Sequence, residues 1–292
     1  MKNHSELKNT TTSPLMERIN WVVFWSIHLL IFTVFWTGVS SRAAFIAAGL
    51  YWGRMFVITG GYHRYFSHKS YQTSRAFQFI LALLGTTCVQ KGVLWWAARH
   101  RHHHYYSDKP EDVHSPQRGF LQSHIWWVSS GQNSSTDRRW VQDWAKFPEL
   151  VWLDKYHFVA PLLLAAICLS SAGWSGLVVG MGWSTVVFWH ATFTVNSLAH
   201  VWGPRRFNTH DTSRNNAFLA FITMGEGWHN NHHHYMHSAR QGFRWWEYDA
   251  TFYVLWCLEK LGVIWDLKRP KPEMLRYTSP APTFSPPPFR SF

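Results

Sequence analysis

The chain has 292 residues, among them 20 Trp and 19 His, with 18% aromatic and only 15% charged residues. An average soluble domain carries roughly 25% charge, so this composition excludes a disordered chain and argues against an ordinary soluble enzyme, while Trp in such numbers suits a membrane boundary. The formal net charge of +12 comes with no nucleic-acid-binding motif, and Cys88, Cys168 and Cys257 form no C-x-x-C pair, which excludes a zinc ribbon, an Fe–S cluster or a disulfide scaffold.

Taken in chain order, residues 1–20 form a polar tail without a secretory-signal pattern. Trp21 to Val39 holds no Asp, Glu, Lys or Arg, and Ala43 to Tyr62 is interrupted only by Arg54. Each run is long enough to cross a hydrocarbon layer of ~30 Å, and the short Ser40–Arg42 link predicts a helical hairpin over 21–62. Arg54 is expected to snorkel to a polar boundary or to pair inside the bundle. Residues 63–157 are mixed. Within them Phe77 to Ala98 is apolar, but Gln78, Gln90 and Lys91 make an interfacial or re-entrant helix the better reading than a fifth span. Phe158 to Leu198 gives 41 residues without a charge, which is two spans' worth, with a turn expected at Ser170, Ser171, Gly173, Ser175 and Gly176. Residues 199–268 are polar and basic, and 269–292 form a Pro-rich tail.

The fold expected is an all-α integral membrane protein. Four transmembrane helices in two hairpins (21–62 and 158–198) carry a cytosolic helical cap made of 63–157 and 199–268. Of the 28 Lys and Arg, only Arg42 and Arg54 fall in the hairpins, and all 16 acidic residues lie outside them. An even number of spans puts both tails and the cap on one side, which the positive-inside rule makes cytoplasmic. That basic face suits anionic lipid headgroups and acidic ligands or protein donors.

His28 and His190 lie within the expected spans and His4 in the tail; most of the rest fall into groups on that same side: His63 and His68; His100, His102, His103 and His104; His229, His232, His233 and His234; and His200 at the end of the fourth span. On a helix, positions i, i+3 and i+4 share a face, so His100, His103 and His104 form one triplet and His229, His232 and His233 another, with His102 and His234 pointing away. His63 and His68, five apart, do not face one atom on a straight α-helix; they serve two neighbouring metals, or lie where the helix leaves the membrane and bends. Imidazole suits Zn, Cu, Fe and Ni, no H-E-x-x-H is present, and eight or nine imidazoles exceed the needs of one ion, so two metals are expected.

At these residues the sequence resembles the membrane fatty acid desaturases, specifically the Δ9 acyl desaturase (stearoyl-CoA desaturase-like) branch, of bacterial type. GGYHRYFSH at 60–68 is similar to the family's HxxxxH box, HRHHH at 100–104 and GEGWHNNHH at 225–233 to its two HxxHH boxes, and NSLAH at 196–200 to the Asn and His that complete the site. The resemblance also covers EDVHSPQRGF at 111–120 and SARQGFRWWEYD at 238–249, and spans about residues 20–268.

It implies two non-haem irons held by His63, His68, His100, His103, His104, His200, His229, His232 and His233, with Asn196 holding an iron-bound water. It implies O2 as co-substrate and removal of hydrogens from adjacent carbons of a saturated acyl chain to leave a cis double bond, at Δ9. It also implies a separate ferredoxin-like or cytochrome-type electron donor on the cytosolic face, membrane lipid as surroundings, no nucleic-acid partner, and a multi-pass place in a bacterial inner membrane. Ala98-Arg99 and Gln117-Arg118 depart from the Arg-Asp and Arg-Arg of the animal acyl-CoA enzymes, which leaves CoA, lipid or acyl-carrier protein open as the carrier. Glu226 and Asn230 are expected to partner ligand imidazoles, as are Asp112 and Asp249, and Trp95, Trp96, Trp189 and Phe193 to wall a substrate tunnel. Two other readings stand beside this one: a related di-iron oxygenase that hydroxylates or forms a terminal alkene, and a membrane metal-binding or transport protein.

Overall fold

The computed structural model of the chain describes residues 14–129 and 133–276. The expected tails are thus described only in part, and 1–13 and 277–292 lie outside the described residues. Among the described residues, three helical runs are long and apolar enough to cross a membrane: Arg18–Thr37, Ser41–Ser67 and Val159–Val201, of 20, 27 and 43 residues.

The first run contains helix α1 (Pro14–Leu30) and ends at Gly38, whose φ is 66°. Helix α2 (Ser41–Phe56) starts at once, capped by Ser40, whose hydroxyl accepts from Ala43 N at 3.1 Å. The third run is not continuous. Ala172 (φ −140°, ψ 22°) and Gly173 (φ 61°, ψ −153°) leave helical geometry inside it, at the turn that the sequence predicts. The Gly173 conformation is one that residues with a Cβ avoid. Beside this break Ser175 Oγ accepts from Ser40 N at 3.0 Å and donates to Gly38 O at 3.2 Å, which ties the two turns together.

Arg54 pairs inside the bundle. It is buried and donates to Leu50 O at 3.1 Å, to Thr185 Oγ1 at 2.8 Å and to Ser184 Oγ. These bonds satisfy a cation that lipid could not.

At Val57 the second run changes from α to π geometry and stays so through Ser67. In a π-helix each N–H bonds the carbonyl five residues back, and His68 N meets His63 O in this way at 3.2 Å. One such turn stacks His63 over His68. The straight-helix expectation for this pair is therefore corrected: the two rings lie 4.8 Å apart, centroid to centroid.

The Phe77–Ala98 segment is not one helix. Helix α3 (Arg75–Thr86), capped by Ser74, is followed by a turn with positive φ at Val89 and Lys91, and then by α4 (Val93–Tyr106). At 12 residues α3 falls well short of the ~20 that a span needs. Helix α5 (Pro148–Lys155) packs on the cap. The third run comprises α6 (Val159–Ser175), a π segment Gly176–Trp183, α7 (Ser184–Asn196) and the short turn Leu198–Val201. The remainder of the cap holds α8 (Ala217–Ile222), α9 (His229–His234) and α10 (Ala250–Lys260). A two-residue antiparallel pair, Gln72–Thr73 with Ile264–Trp265, staples its two parts. The core between them buries Tyr62, Phe66, Leu94 and Leu255, side chains each worth about 1.5–3 kcal/mol when removed from water.

Candidate metal centre

The nine histidines expected as ligands converge in two groups. In the first, His63, His68, His100, His104 and His232 each offer a ring nitrogen within 4.8 Å of the others; in the second, His103, His200, His229 and His233 do the same. The helices deal out their triplets unequally. From α4, His100 and His104, one turn apart, go to the first group while His103 points to the second; from α9, His229 and His233 go to the second group and His232 to the first. His102 packs on Tyr106 and Trp140, and His234 stacks on Phe207 at 3.9 Å, so both lie outside the groups.

In the first group the Nε2 atoms form a chain of contacts: His63 to His232 at 3.0 Å, His232 to His104 at 3.0 Å, His104 to His100 at 2.9 Å and His100 to His68 at 2.8 Å. His200 and His229 Nε2 are 3.1 Å apart in the second group. Imidazole lone pairs this close repel unless something positive lies between them.

Protons are largely kept out of these contacts, because Nδ1 is the nitrogen that the protein engages on four rings. His63 Nδ1 donates to Glu226 at 2.6 Å, His103 Nδ1 to Asp112 at 2.9 Å and His233 Nδ1 to Asp211 at 2.6 Å; His200 Nδ1 lies 3.2 Å from Thr212 Oγ1 and 3.5 Å from Asp108. Their Nε2 atoms face inward bare. His233 Nε2 is buried without a partner, as are Nδ1 of His229 and His232. This donor set fits divalent metal ions, and carboxylates one bond behind the imidazoles both orient the rings and offset the charge.

The electrostatics agree. Burial, helped by the neighbouring histidines, pushes His68, His100, His104, His229 and His232 well below the ordinary imidazole value, so they are neutral and able to bind metal. Burial also pulls His103 down, but Asp112, Asp108 and Asp211 together outweigh it and raise the ring. The carboxyls move the other way: burial raises Asp108, Asp112 and Asp211, and the adjoining His200, His103 and His233 overcome it and hold all three well below the usual carboxylate range.

Glu226 lies where the sequence reading expects it, against His63, and also accepts from Arg64 Nη2 at 3.1 Å and Gln241 Nε2 at 2.8 Å. Arg64, fully buried, continues to Asp249 at 2.9 Å. Asp249 therefore reaches the imidazoles only through Arg64, and Gly225 (φ +122°) must lack a side chain there, since a Cβ would stand 2.4 Å from Asp249 Oδ1. Asn230 requires a correction. It forms no hydrogen bond to a histidine; its Oδ1 accepts from the backbone N of Arg206 and Phe207, each at 2.7 Å, and so fixes the loop that carries Asp211. Asp108, Asp211, Gln241 and a further buried imidazole, His114, went unread in the sequence. His114 lies 3.2 Å from Asp112, and burial takes it down to about 3.

A largely apolar cavity runs up to the histidines, lined by Met55 and Ile58 and by His63, His100, His103 and His229. Trp95, Trp96, Phe193 and Asn196 line it as well. Trp189 does not: it stacks on Phe24 at 5.0 Å and donates Nε1–H to Cys88 O, turned into the bundle.

The sequence model of the fatty acid desaturase family matches residues 40–266. The chain is 36% identical over 259 residues to an sn-2 palmitoyl-lipid 9-desaturase of Nostoc sp. (strain 36), covering 86% of this chain and 90% of that one. It is 36% identical over 263 residues to an sn-1 stearoyl-lipid 9-desaturase of Anabaena variabilis (89% and 96%), and 33% identical over 274 residues to an acyl-CoA C20 Δ5-desaturase of Anemone leveillei (87% and 86%). The chain belongs to the fatty acid desaturase family, on its Δ9-desaturase-like, bacterial-type branch. It is an oxidoreductase of lipid metabolism, and its long apolar helices associate it with a membrane.

Proposed function

We propose that this protein is a di-iron, O2-dependent desaturase that introduces a cis Δ9 double bond into a saturated, lipid-linked acyl chain. The carrying observation is the pair of histidine groups, five and four, gathered at the end of an apolar cavity. The lipid carrier and the Δ9 position draw support from the two cyanobacterial relatives, and the Δ5 relative makes the position the point to test. Four spans are proposed, with the 43-residue run counted as two on either side of Gly173. The cap then faces the cytoplasm of a bacterial inner membrane and meets a separate ferredoxin-like or cytochrome-type donor.

His63, His68, His100, His104 and His232 would hold one iron, and His103, His200, His229 and His233 the other, with Asn196 beside the second through water. Bound there, the irons supply an O2-derived oxidant strong enough for an unactivated C–H bond. The chain's own residues do the rest. Glu226, Asp112, Asp108 and Asp211 hold the Nδ1 protons and fix the rings. The cavity walls hold the acyl carbons in place, which converts a diffusive encounter into an oriented one, and keep bulk water away from the reaction.

Expression in a host without its own desaturase, followed by double-bond mapping of its lipids and metal analysis of the purified protein, tests the reading. A new cis Δ9 bond and two irons per chain are expected. Hydroxylated or terminal-alkene products, or zinc as the sole metal, overturn it.

A further inference from the structure

Two apolar segments of the cap touch the membrane runs well inside their length. One is α8, whose large exposed side chains are Phe218 and Phe221, at 58% and 59%. The exposed Trp202 joins them, its ring 6.3 Å from that of Phe218. The other is the segment 120–129, whose large exposed side chains are Phe120, Leu121 and Trp126. Neither segment contains Asp, Glu, Lys or Arg. Charge returns outside them, at Arg118 before the one and at Arg214 before the other.

Helical rise gives their depth. The turns at Gly38 and Gly173, tied together by Ser175, lie at the far end of the spans. Tyr51 stands ten residues beyond Ser41 on α2, about 15 Å from that end at 1.5 Å per residue. Its hydroxyl donates to Ile222 O at 2.7 Å, at the end of α8, and the neighbouring Trp52 ring is 6.1 Å from that of Phe221. Trp25 stands thirteen residues before Gly38, about 20 Å from the same end, and its ring is 6.0 Å from that of Trp126. A hydrocarbon layer is ~30 Å thick. Both contacts therefore fall within it, from its middle toward the cap.

A segment in hydrocarbon has to satisfy its backbone without water, and helix ends are where that is hardest. Here the chain itself meets the ends. Asn216 caps α8, its Oδ1 accepting from Leu219 N at 3.0 Å, and the Tyr51 hydroxyl takes the Ile222 carbonyl at the other end. In 120–129, Ser123 N donates to Gly119 O at 3.0 Å and Ser123 Oγ to Phe120 O at 2.9 Å, and helical turns follow through Ser129. An element facing water needs no carbonyl partner from a membrane helix.

We propose that α8 and the segment 120–129 are immersed among the acyl chains of the leaflet on the cap's side, so that the cap is sunk into the bilayer. Trp127 and Val128 of the one segment, and Thr223 at the end of the other, line the cavity that leads to the histidines. The parts that lipid covers on the outside are thus walls of the cavity on the inside, and the chain to be desaturated is drawn from that leaflet. The immersion rests on the span reading above, and the route of the acyl chain on the lipid-linked substrate.

The test places single cysteines, labelled with an environment-sensitive fluorophore, in phospholipid vesicles. The background is Cys257→Ser, which leaves only the buried Cys88 and Cys168. Leu121→Cys and Phe218→Cys are the probes; Leu163→Cys on α6, at a site 61% exposed, is the lipid reference, and Gln117→Cys the water reference. Positions 121 and 218 are expected to match 163, quenched by phospholipid brominated on its acyl chains and without the iodide quenching seen at 117. Iodide quenching there overturns the immersion, and so does protection from both quenchers, which marks a protein partner. Should a variant not accumulate, wild-type protein with a diazirine-bearing phospholipid answers the same question: carbene adducts are expected on 120–126 and 217–221, and adducts confined to the three membrane runs overturn the immersion. Iodide reaching position 163 overturns the span reading and the immersion together. Phe218→Asp, which sets a charge among the chains, is expected to lose lipid double bonds at wild-type metal content, and a wild-type rate overturns the leaflet route. Lipid-like probes in a wild-type protein that forms no double bonds overturn the proposed activity and leave the immersion standing.

Discussion

Asp211 and Glu226 each stand 2.6 Å from an imidazole Nδ1, and neither belongs to the two histidine groups. Their work is to fix tautomer and angle, which is worth 10–100-fold in metal affinity in comparable sites. Asp211→Asn and Glu226→Gln are therefore expected to weaken metal binding by about one to two orders of magnitude, measured by competition with a chelator. His102→Ala should leave it unchanged, because that ring faces Tyr106 and Trp140. The two histidine triplets could be read from the sequence because helical spacing is local, but spacing does not show that each triplet is divided between two groups, and His63, His68 and His200 joined the ligand set only through the family resemblance. The carboxylates could not. His233 and Asp211 are 22 residues apart, and no periodicity links them; only the loop pinned by Asn230 brings them together.

Among the elements, the break at Ala172–Gly173 and the π segment Val57–Ser67 decide how the cap is presented. Gly173 lies where ψ is −153° at positive φ, a region that costs a residue with a side chain about 1–3 kcal/mol. Gly173→Ala is expected to destabilise the purified protein by that amount, read as a lowered denaturant midpoint in detergent micelles with metal content intact. The sequence showed this turn through its Ser and Gly cluster. It did not show the π geometry, because composition does not distinguish a five-residue hydrogen bond from a four-residue one; the signal was present in the spacing of His63 and His68 and reads as misalignment only if the helix is assumed to be α. Phe77–Ala98, expected as one interfacial or re-entrant helix, is divided between α3 and α4, neither of which is long enough for a fifth span. The break falls at Val89 and Lys91, with Gly92 at the N-cap of α4; the polar Gln90 and Lys91 read as surface character and not as a turn.

The whole molecule sets its acid limit through the same groups. His68, His100, His104, His229 and His232 have folded-state values well below the 6.5 of a free imidazole, so the folded chain takes up protons less readily than the unfolded one. Stability is full above about pH 6.5 and falls as pH drops below it, since each proton is then bound preferentially by the unfolded state. Asp108, Asp112 and Asp211, held low by their histidines, extend the loss below about pH 4. Metal-free protein should thus unfold at progressively lower temperature below about pH 6.5, and added metal should restore the midpoint; a flat profile from about pH 7 to about pH 5 contradicts the assignment of neutral buried rings.

The division of two helical triplets between two groups has one more consequence. Because α4 lends His103 to the group that α9 dominates, and α9 lends His232 to the group that α4 dominates, neither group can be assembled while the two helices are apart. An ion filling one group holds both helices in the position that the other group requires, and the ordering cost of the second ion has already been met. By linkage the favour is mutual: loading is cooperative, and a chain carrying one ion is a scarcer species than either the empty or the full one.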